Sequence, residues 1–419
     1  MNTVYSEMNG SPQNTYQTLS PLSWILKIFS INSNIENAGI TFSAIARNAT
    51  IAFVLGTFTI ASLCYKIKYV YSELIMSIKI TDAAQMIFDY CQYIVDLYFV
   101  FKYGRLISVE YFKQYGKLDK ILGITSYQGT KTRLVKLILF YTFFWALSSS
   151  CDFTAWVFTF GWMTPLVFSV AYIYLYIKMA TMLDLISHVM HVELRLTVIG
   201  DIIQAYYMRA EYCTEFINDC IFNKNWLYST ASSRSSKFHL RPHPIQSMPV
   251  NGHHEIKWLT RCYLMLTEQV AYINSMYGFR ILLNSLSLLI DMIRFTNISV
   301  RIVFKSQITT FYGSGYTYLP AISCLMRLLT CIAILVSLAA HCEKAYRQSE
   351  RIITIIDHLL IYKKPDNSVS TDATELQQLL SNRPIFFNMA NFFIINYSVL
   401  ASIASIVVTY TIILLQSPD

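Results

Sequence analysis

Apolar runs of about 20 residues or more recur along this chain, and they constrain its fold more than any other feature. A helix rises 1.5 Å per residue, so about 20 apolar residues are enough to cross the hydrocarbon core of a bilayer. The sequence predicts seven such spans, at 44–65, 84–104, 134–159, 163–190, 275–293, 317–340 and 391–416. We therefore expect an all-α, polytopic membrane protein.

The composition favours a surface that is largely covered by lipid. Only 14% of the residues are charged and 54% are hydrophobic, whereas soluble domains carry about 25% charged residues. The net charge of +8 would suit nucleic-acid binding, but the basic residues lie in one alternate set of loops. We therefore expect membrane lipid, and no nucleic acid, as a partner.

The distribution of Lys and Arg predicts the orientation, because cytoplasmic loops are enriched in both residues. With the N-terminus inside, the inside loops hold 21 of the 33 basic residues and the outside loops hold 6. This bias predicts a cytoplasmic N-terminus and, after seven spans, an extracellular C-terminus. Asn297-Ile298-Ser299 is a glycosylation sequon in the predicted outside loop 294–316, so Asn297 is a candidate glycan acceptor.

The predicted spans alternate with cytoplasmic regions that have helical periodicity. A segment at 229–254 is rich in Ser, Pro and basic residues, which predicts a disordered insert. In chain order we expect a cytoplasmic N-terminal segment (1–43), the first four spans (44–190), cytoplasmic helical extensions around the insert (191–274), two further spans (275–340), a cytoplasmic helical layer (341–390), the last span (391–416) and an extracellular tail (417–419).

The last span has a polar stripe on an otherwise apolar helix. At 100° per residue, six of its eight non-aromatic polar residues, Asn391 among them, share an arc of about 60°. Such a stripe faces either water or polar groups of another helix, so two interpretations stay open: a pore lining, or a packing seam of small residues. Gln416 favours the pore, because a bulky amide brings no packing advantage but can coordinate an ion. The candidate pore-lining residues are Ser398, Ser402, Ser405, Thr409, Ile412 and Gln416.

Three segments resemble the insect gustatory receptor family, within the insect chemoreceptor superfamily. Residues 409–416 (TYTIILLQ) resemble its signature of Thr-Tyr, about five mostly aliphatic residues, and Gln. Residues 386–393 (FFNMANFF) resemble its approach to the final helix, and 21–29 (PLSWILKIF) resemble a segment near its start. The length and span count are also similar. The likeness is therefore architectural over the whole chain and detailed only near the C-terminal end.

The resemblance implies a ligand-gated, non-selective cation channel. It implies a tetramer, formed by this chain alone or with related receptors, in which the last helix of each subunit lines a central pore. It also implies that Thr409 and Tyr410 support helix packing near the pore and that Gln416 faces the ions. Ser417 stands where the family usually has Phe, so Ile412 or Leu415 would have to supply the gate.

The resemblance also implies a ligand site within each subunit, in the extracellular half of the helix bundle. Aromatic and polar residues of several predicted spans converge there, which suits a small organic molecule. Each aromatic side chain could instead be packing, and each carboxylate could instead be paired with Arg294 or reach water. The candidate ligand-binding residues are Asp89, Tyr93, Trp145, Asp152, Trp156, Tyr172, Asn284 and Asp291.

The sequence argues against an enzyme, because it has no Walker loop, no HExxH motif and no nucleophile elbow. We expect no cofactor and no metal site. A G-protein-coupled receptor is the alternative, and it would need the N-terminus outside; a secondary transporter is third. The gustatory family's sugar branch usually has Glu after Thr-Tyr, where this chain has Thr411. The resemblance therefore implies a plasma-membrane receptor of sensory-neuron dendrites, opened by a bitter or deterrent plant compound.

Overall fold

The computed structural model describes residues 15–32, 42–71, 76–104, 107–124, 126–213, 252–303, 318–363 and 365–416. These residues form helices α1 (Thr15–Ile28), α2 (Phe42–Tyr65), α3 (Met76–Gly104), α4 (Ile107–Leu122), α5 (Gln128–Phe160), α6 (Met163–Cys213), α7 (Gly252–Val303), α8 (Leu319–His358), α9 (Asn367–Asn382) and α10 (Tyr397–Gln416). The predicted insert, up to residue 251, and the predicted tail 417–419 lie outside the described residues.

The all-α membrane fold predicted from the sequence is confirmed. Within the described ranges, six helices are long and apolar enough to cross a bilayer: α2, α5, α6, α7, α8 and α10. Helix α3 corresponds to the remaining predicted span, 84–104, and it carries three carboxylates, Asp82, Asp89 and Asp96. Helices α6, α7 and α8 have 51, 52 and 40 residues. Since about 20 residues cross the hydrocarbon core, these three helices extend well beyond it.

Helix α6 is the centre of the bundle. It packs against α5, α7 and α8, and its most apolar stretch is 67% buried. Helix α10 is peripheral. Its most apolar stretch is only 11% buried, and its main contacts are with α7 and α8. Helix α1 lies against α4, α5 and α6 and buries Leu19, Leu22 and Leu26.

Two boundaries differ from the sequence-based prediction. Helix α7 runs to Val303 instead of ending near 293, because the polar residues beyond 293 are buried in the bundle instead of lying in a loop. Helix α10 begins at Tyr397 instead of 391, because a short antiparallel hairpin, β1 (Asn388–Met389) and β2 (Phe393–Ile394), precedes it. Asn391 lies in the turn of this hairpin at φ 63°, and so it is not part of the polar stripe.

The predicted orientation can be checked directly with a tag. An epitope placed after Asp419 is expected to be stained on intact, unpermeabilised cells, because the loop charges predict an extracellular C-terminus. The same epitope before Met1 should be stained only after permeabilisation, and it serves as the control. The reverse pattern would contradict the orientation and would favour a G-protein-coupled receptor.

Candidate functional site

The polar stripe of α10 lies on the face that the rest of the subunit leaves uncovered. Ser398, Ser402, Ser405, Thr409, Ile412 and Gln416 are all exposed in the single chain. The opposite face packs on the core through Val399, Ile403 and Val407, and Thr411 beside them is buried. At 100° per residue, these four lie about 100–220° from Ser398. The stripe is therefore not a seam between α10 and its own subunit.

Two hydroxyl groups of the stripe donate their hydrogen bonds within the helix. Ser402 Oγ donates to the Ser398 carbonyl at 3.2 Å, and Thr409 Oγ1 donates to the Ser405 carbonyl at 2.9 Å. A hydroxyl that donates backwards keeps its oxygen lone pairs for another partner. The stripe therefore presents hydrogen-bond acceptors outwards, which suits a hydrated cation.

The N-terminal end of α10 is attached to the bundle through the hairpin. Tyr346 of α8 accepts a hydrogen bond from the Phe387 amide at 3.0 Å and donates to the Ile395 carbonyl at 3.1 Å. Asn274 of α7 donates to the Phe386 carbonyl at 2.8 Å. A Cβ atom at Gly278 of α7 would lie 2.9 Å from the Ala390 amide nitrogen, so the close approach requires glycine.

A buried lysine joins three membrane helices. Lys178 of α6 places Nζ 2.9 Å from Asp89 Oδ1 of α3 and 2.6 Å from Asp291 Oδ2 of α7. Ser287 of α7 donates to Asp89 at 2.6 Å, and Gln85 donates to the same carboxylate at 2.7 Å. The predicted site residues Asp89 and Asp291 are thus brought together, and Lys178 neutralises one of their two charges.

Polar contacts between α3 and α7 continue on both sides of this lysine. Asp82 lies 3.0 Å from Arg294 and 2.9 Å from Lys66, and Asp96 lies 2.8 Å from Arg280. Asp82 and Asp96 are 14 residues apart, so the polar seam extends over about 21 Å. A seam of this length fixes the relative height of α3 and α7, because a shift by one turn would break every pair.

Asp152 of α5 is the centre of a second buried cluster. Its carboxylate lies 3.1 Å from Arg327 of α8 and accepts hydrogen bonds from the Tyr172 hydroxyl at 2.9 Å and the Trp156 ring nitrogen at 3.1 Å. Arg327 also lies over the Tyr172 ring at 4.7 Å. Three of the predicted ligand residues, Asp152, Trp156 and Tyr172, are therefore in contact. The carboxylate of Asp152 has its charged partner, Arg327, within the same subunit.

The other predicted ligand residues are placed separately. Trp145 donates to the Tyr172 carbonyl at 2.9 Å, at the edge of the Asp152 cluster. Asn284 accepts a hydrogen bond from Gln92 within the α3–α7 seam. Tyr93 donates to the Phe29 carbonyl at 3.0 Å and so contacts the chain just after α1. A small recess between α1, α5 and α6 is lined by Leu22, Tyr141, Tyr176 and neighbours, and by none of the predicted ligand residues.

Lys178 is the site residue that sequence reasoning missed. It lies within the predicted span 163–190, near its centre. Two predicted membrane carboxylates without an assigned cation were the signal that could have identified it, because a charge inside the membrane requires a partner.

Asn297 is not a surface loop residue. It lies within α7, its side chain is 0% exposed, and its Oδ1 accepts a hydrogen bond from Arg301 at 3.1 Å. The sequon was expected in an outside loop, but the polar residues around it face the bundle interior. Within the subunit Asn297 therefore takes part in a polar contact with Arg301, and its glycosylation stays a prediction from the sequon.

Comparisons with known proteins agree with this architecture. A model of the 7tm chemosensory receptor family matches residues 16–417. The chain is therefore a chemosensory receptor of multi-pass membrane type, and it belongs to the 7tm chemosensory receptor family.

The solved structures include two of an insect olfactory receptor, OR5 from Machilis hrabei. The structure of that receptor has 12% sequence identity, a TM-score of 0.50, and coverage of 96% of this chain and 100% of that one. The structure of the same receptor in complex with eugenol has 11% identity, a TM-score of 0.49 and the same coverage. At these identities the likeness shows the fold alone. No curated protein matches the chain.

Proposed function

We propose that this protein is a gustatory receptor that acts as a ligand-gated, non-selective cation channel in the plasma membrane. The observation that carries the proposal is the position of the polar stripe on α10. The stripe lies opposite the face that packs on α7 and α8, and it presents oxygen acceptors away from the subunit. An exposed row of hydroxyl and amide groups is unfavourable in lipid but suits a water-filled path.

A pore of this kind requires several copies of the chain. One α10 helix cannot enclose a path, whereas four copies arranged around an axis would face one another with their stripes. We therefore propose a tetramer, formed by this chain alone or with related receptors. Burial of only 11% of α10 within the single chain supports this assembly, because the helix then has a large face left for neighbouring subunits.

We propose a small organic plant compound of the bitter or deterrent kind as the ligand. The Asp152 cluster supports a site for a neutral molecule, because Arg327 compensates the carboxylate and aromatic rings surround both groups. Thr411, which stands where the sugar branch usually has Glu, supports a non-sugar ligand. Its side chain is buried against the bundle, where an unpaired carboxylate would be costly.

Cysteine labelling tests whether the stripe faces water. Ser405→Cys and Thr409→Cys place a thiol on the stripe, and Ile406→Cys and Val408→Cys place one on exposed positions to either side. Maleimide reacts with the thiolate, which forms in water and not in lipid. We expect the two stripe variants to be labelled roughly tenfold faster than the two flanking variants, measured by mass spectrometry after subtraction of wild-type labelling.

The flanking variants are matched to the stripe variants in depth, since each differs by one residue. Equal labelling of all four positions would show that the stripe has no special access to water. A stripe that is labelled no faster than Ile406→Cys or Val408→Cys would contradict the pore and leave a packing seam between subunits.

A further inference from the structure

The outer end of α10 is bound by a buried arginine of α7. Arg301, in the last turn of α7, is 4% exposed. Its Nη2 donates to the Leu414 carbonyl of α10 at 2.7 Å, and its Nε donates to Asn297 Oδ1 at 3.1 Å. Asn297 thereby orients the guanidinium towards the end of α10.

The Leu414 carbonyl is an unusually favourable partner for a cation. It belongs to the last turn of a helix that ends at Gln416, and carbonyls of a last turn lack partners within the helix. The same turn carries the partial negative charge of the helix dipole, which favours a cation nearby. A hydrogen bond from a charged donor in a buried place is also stronger than a neutral one.

This contact completes the attachment of α10 to α7. At the inner end the hairpin is held by Asn274 and by close packing on Gly278. Along the middle, α10 contacts the bundle through Val399, Ile403 and Val407, which are apolar and allow sliding. Arg301 therefore supplies a directional contact at the outer end of α10. The residue that it contacts, Leu414, is two residues before Gln416.

We propose that Arg301 is a positioning residue that fixes the outer end of α10, and with it Gln416, relative to α7. The proposal rests on the proposed function in so far as Gln416 lines a pore. The guanidinium of Arg301 caps the C-terminal end of α10. It contacts the backbone of α10 at the Leu414 carbonyl.

Hydrogen–deuterium exchange of the purified receptor in phosphatidylcholine nanodiscs tests this role. Loss of a hydrogen bond to a charged group corresponds to about tenfold or more in the local opening equilibrium. Arg301→Met is expected to accelerate exchange of the peptide covering 409–416 by about that factor. Arg301→Lys keeps the charge and a donor, and it should restore slow exchange. Arg261→Met, which removes an exposed arginine of the same helix, should leave exchange unchanged.

A second variant keeps the test decisive if Arg301→Met fails to fold. Asn297→Ala removes the acceptor that orients the guanidinium, and it should accelerate the same peptide by a smaller factor. Unchanged exchange at 409–416 in Arg301→Met or Asn297→Ala, with the α6 core protected as in the wild type, would overturn the proposal. Failure of Arg301→Lys to restore slow exchange would also overturn it. Exchange is measured without current, so this result is independent of whether Gln416 lines a pore.

Discussion

Replacement of Gln416 by arginine is expected to suppress cation current by roughly tenfold or more, because each subunit would add a fixed positive charge to the ion path. Gln416 is exposed on the stripe at the C-terminal end of α10. Gln416→Glu is expected to have the opposite effect, with stronger attraction of cations and block by divalent ions. The measurement is whole-cell current and reversal potential under asymmetric Na⁺, K⁺ and Ca²⁺.

Gln416→Asn is the matched control for both charged variants. It retains an amide of nearly the same chemistry, so ion selectivity should stay close to that of the wild type. Surface protein must be quantified for each variant, because current falls with receptor number. If the arginine and glutamate variants both reach the surface and conduct with unaltered selectivity, Gln416 does not face the ions.

Lys178→Leu is expected to reduce the amount of folded receptor severalfold. The substitution leaves Asp89 and Asp291 buried without their shared cation. Removal of one partner of a buried ion pair costs about 3–5 kcal/mol, and a loss of even 1–2 kcal/mol changes cellular abundance several-fold. The measurement is surface biotinylation together with the thermal stability of the purified protein.

Without Lys178, the charges of Asp89 and Asp291 are expected to destabilise the receptor, so neutralising them should restore folded protein. Combining Lys178→Leu with Asp89→Asn and Asp291→Asn removes all three charges and should recover much of the lost protein. Lys113→Leu is the control, because Lys113 lies 3.9 Å from Glu110 on an exposed helix face where ion pairs contribute little. Equal abundance of Lys178→Leu and wild type would show that the triad does not stabilise the bundle.

The features set by one-dimensional patterns could be read from the sequence. Apolar runs predicted the helical membrane fold, and the 100° periodicity placed Ser398, Ser402 and Thr409 on one side of the last helix. These patterns are local, so they do not depend on which helices meet. The family resemblance, carried mainly by 409–416, likewise rests on neighbouring residues, and the family is confirmed by the match over 16–417.

The features that depend on which helices pack together could not be predicted from local sequence patterns. The partners of Asp152 are one example, because they come from three different helices, α5, α6 and α8. Asn297 has the sequence of a glycan acceptor, and only the packing of α7 shows that it is buried. The hairpin before α10 depends on φ values of 52° and 63° at Ala390 and Asn391. Ala390 gives no signal for this turn, and Asn391 gives only a weak one, because asparagine tolerates positive φ.

The polar seam between α3 and α7 has a consequence for how the chain enters the membrane during synthesis. Each Asp near the middle of a span costs about 2.5–3.5 kcal/mol on the insertion scale, and α3 carries Asp82, Asp89 and Asp96. Arg280, the partner of Asp96, is 184 residues further along. At 5–20 residues per second the ribosome needs about 10–40 s to reach it. During that interval Asp96 lacks its partner, whereas Asp82 and Asp89 already have Lys66 and Lys178. We therefore expect nascent chains that stop before α7 to be recognised as unfinished and degraded.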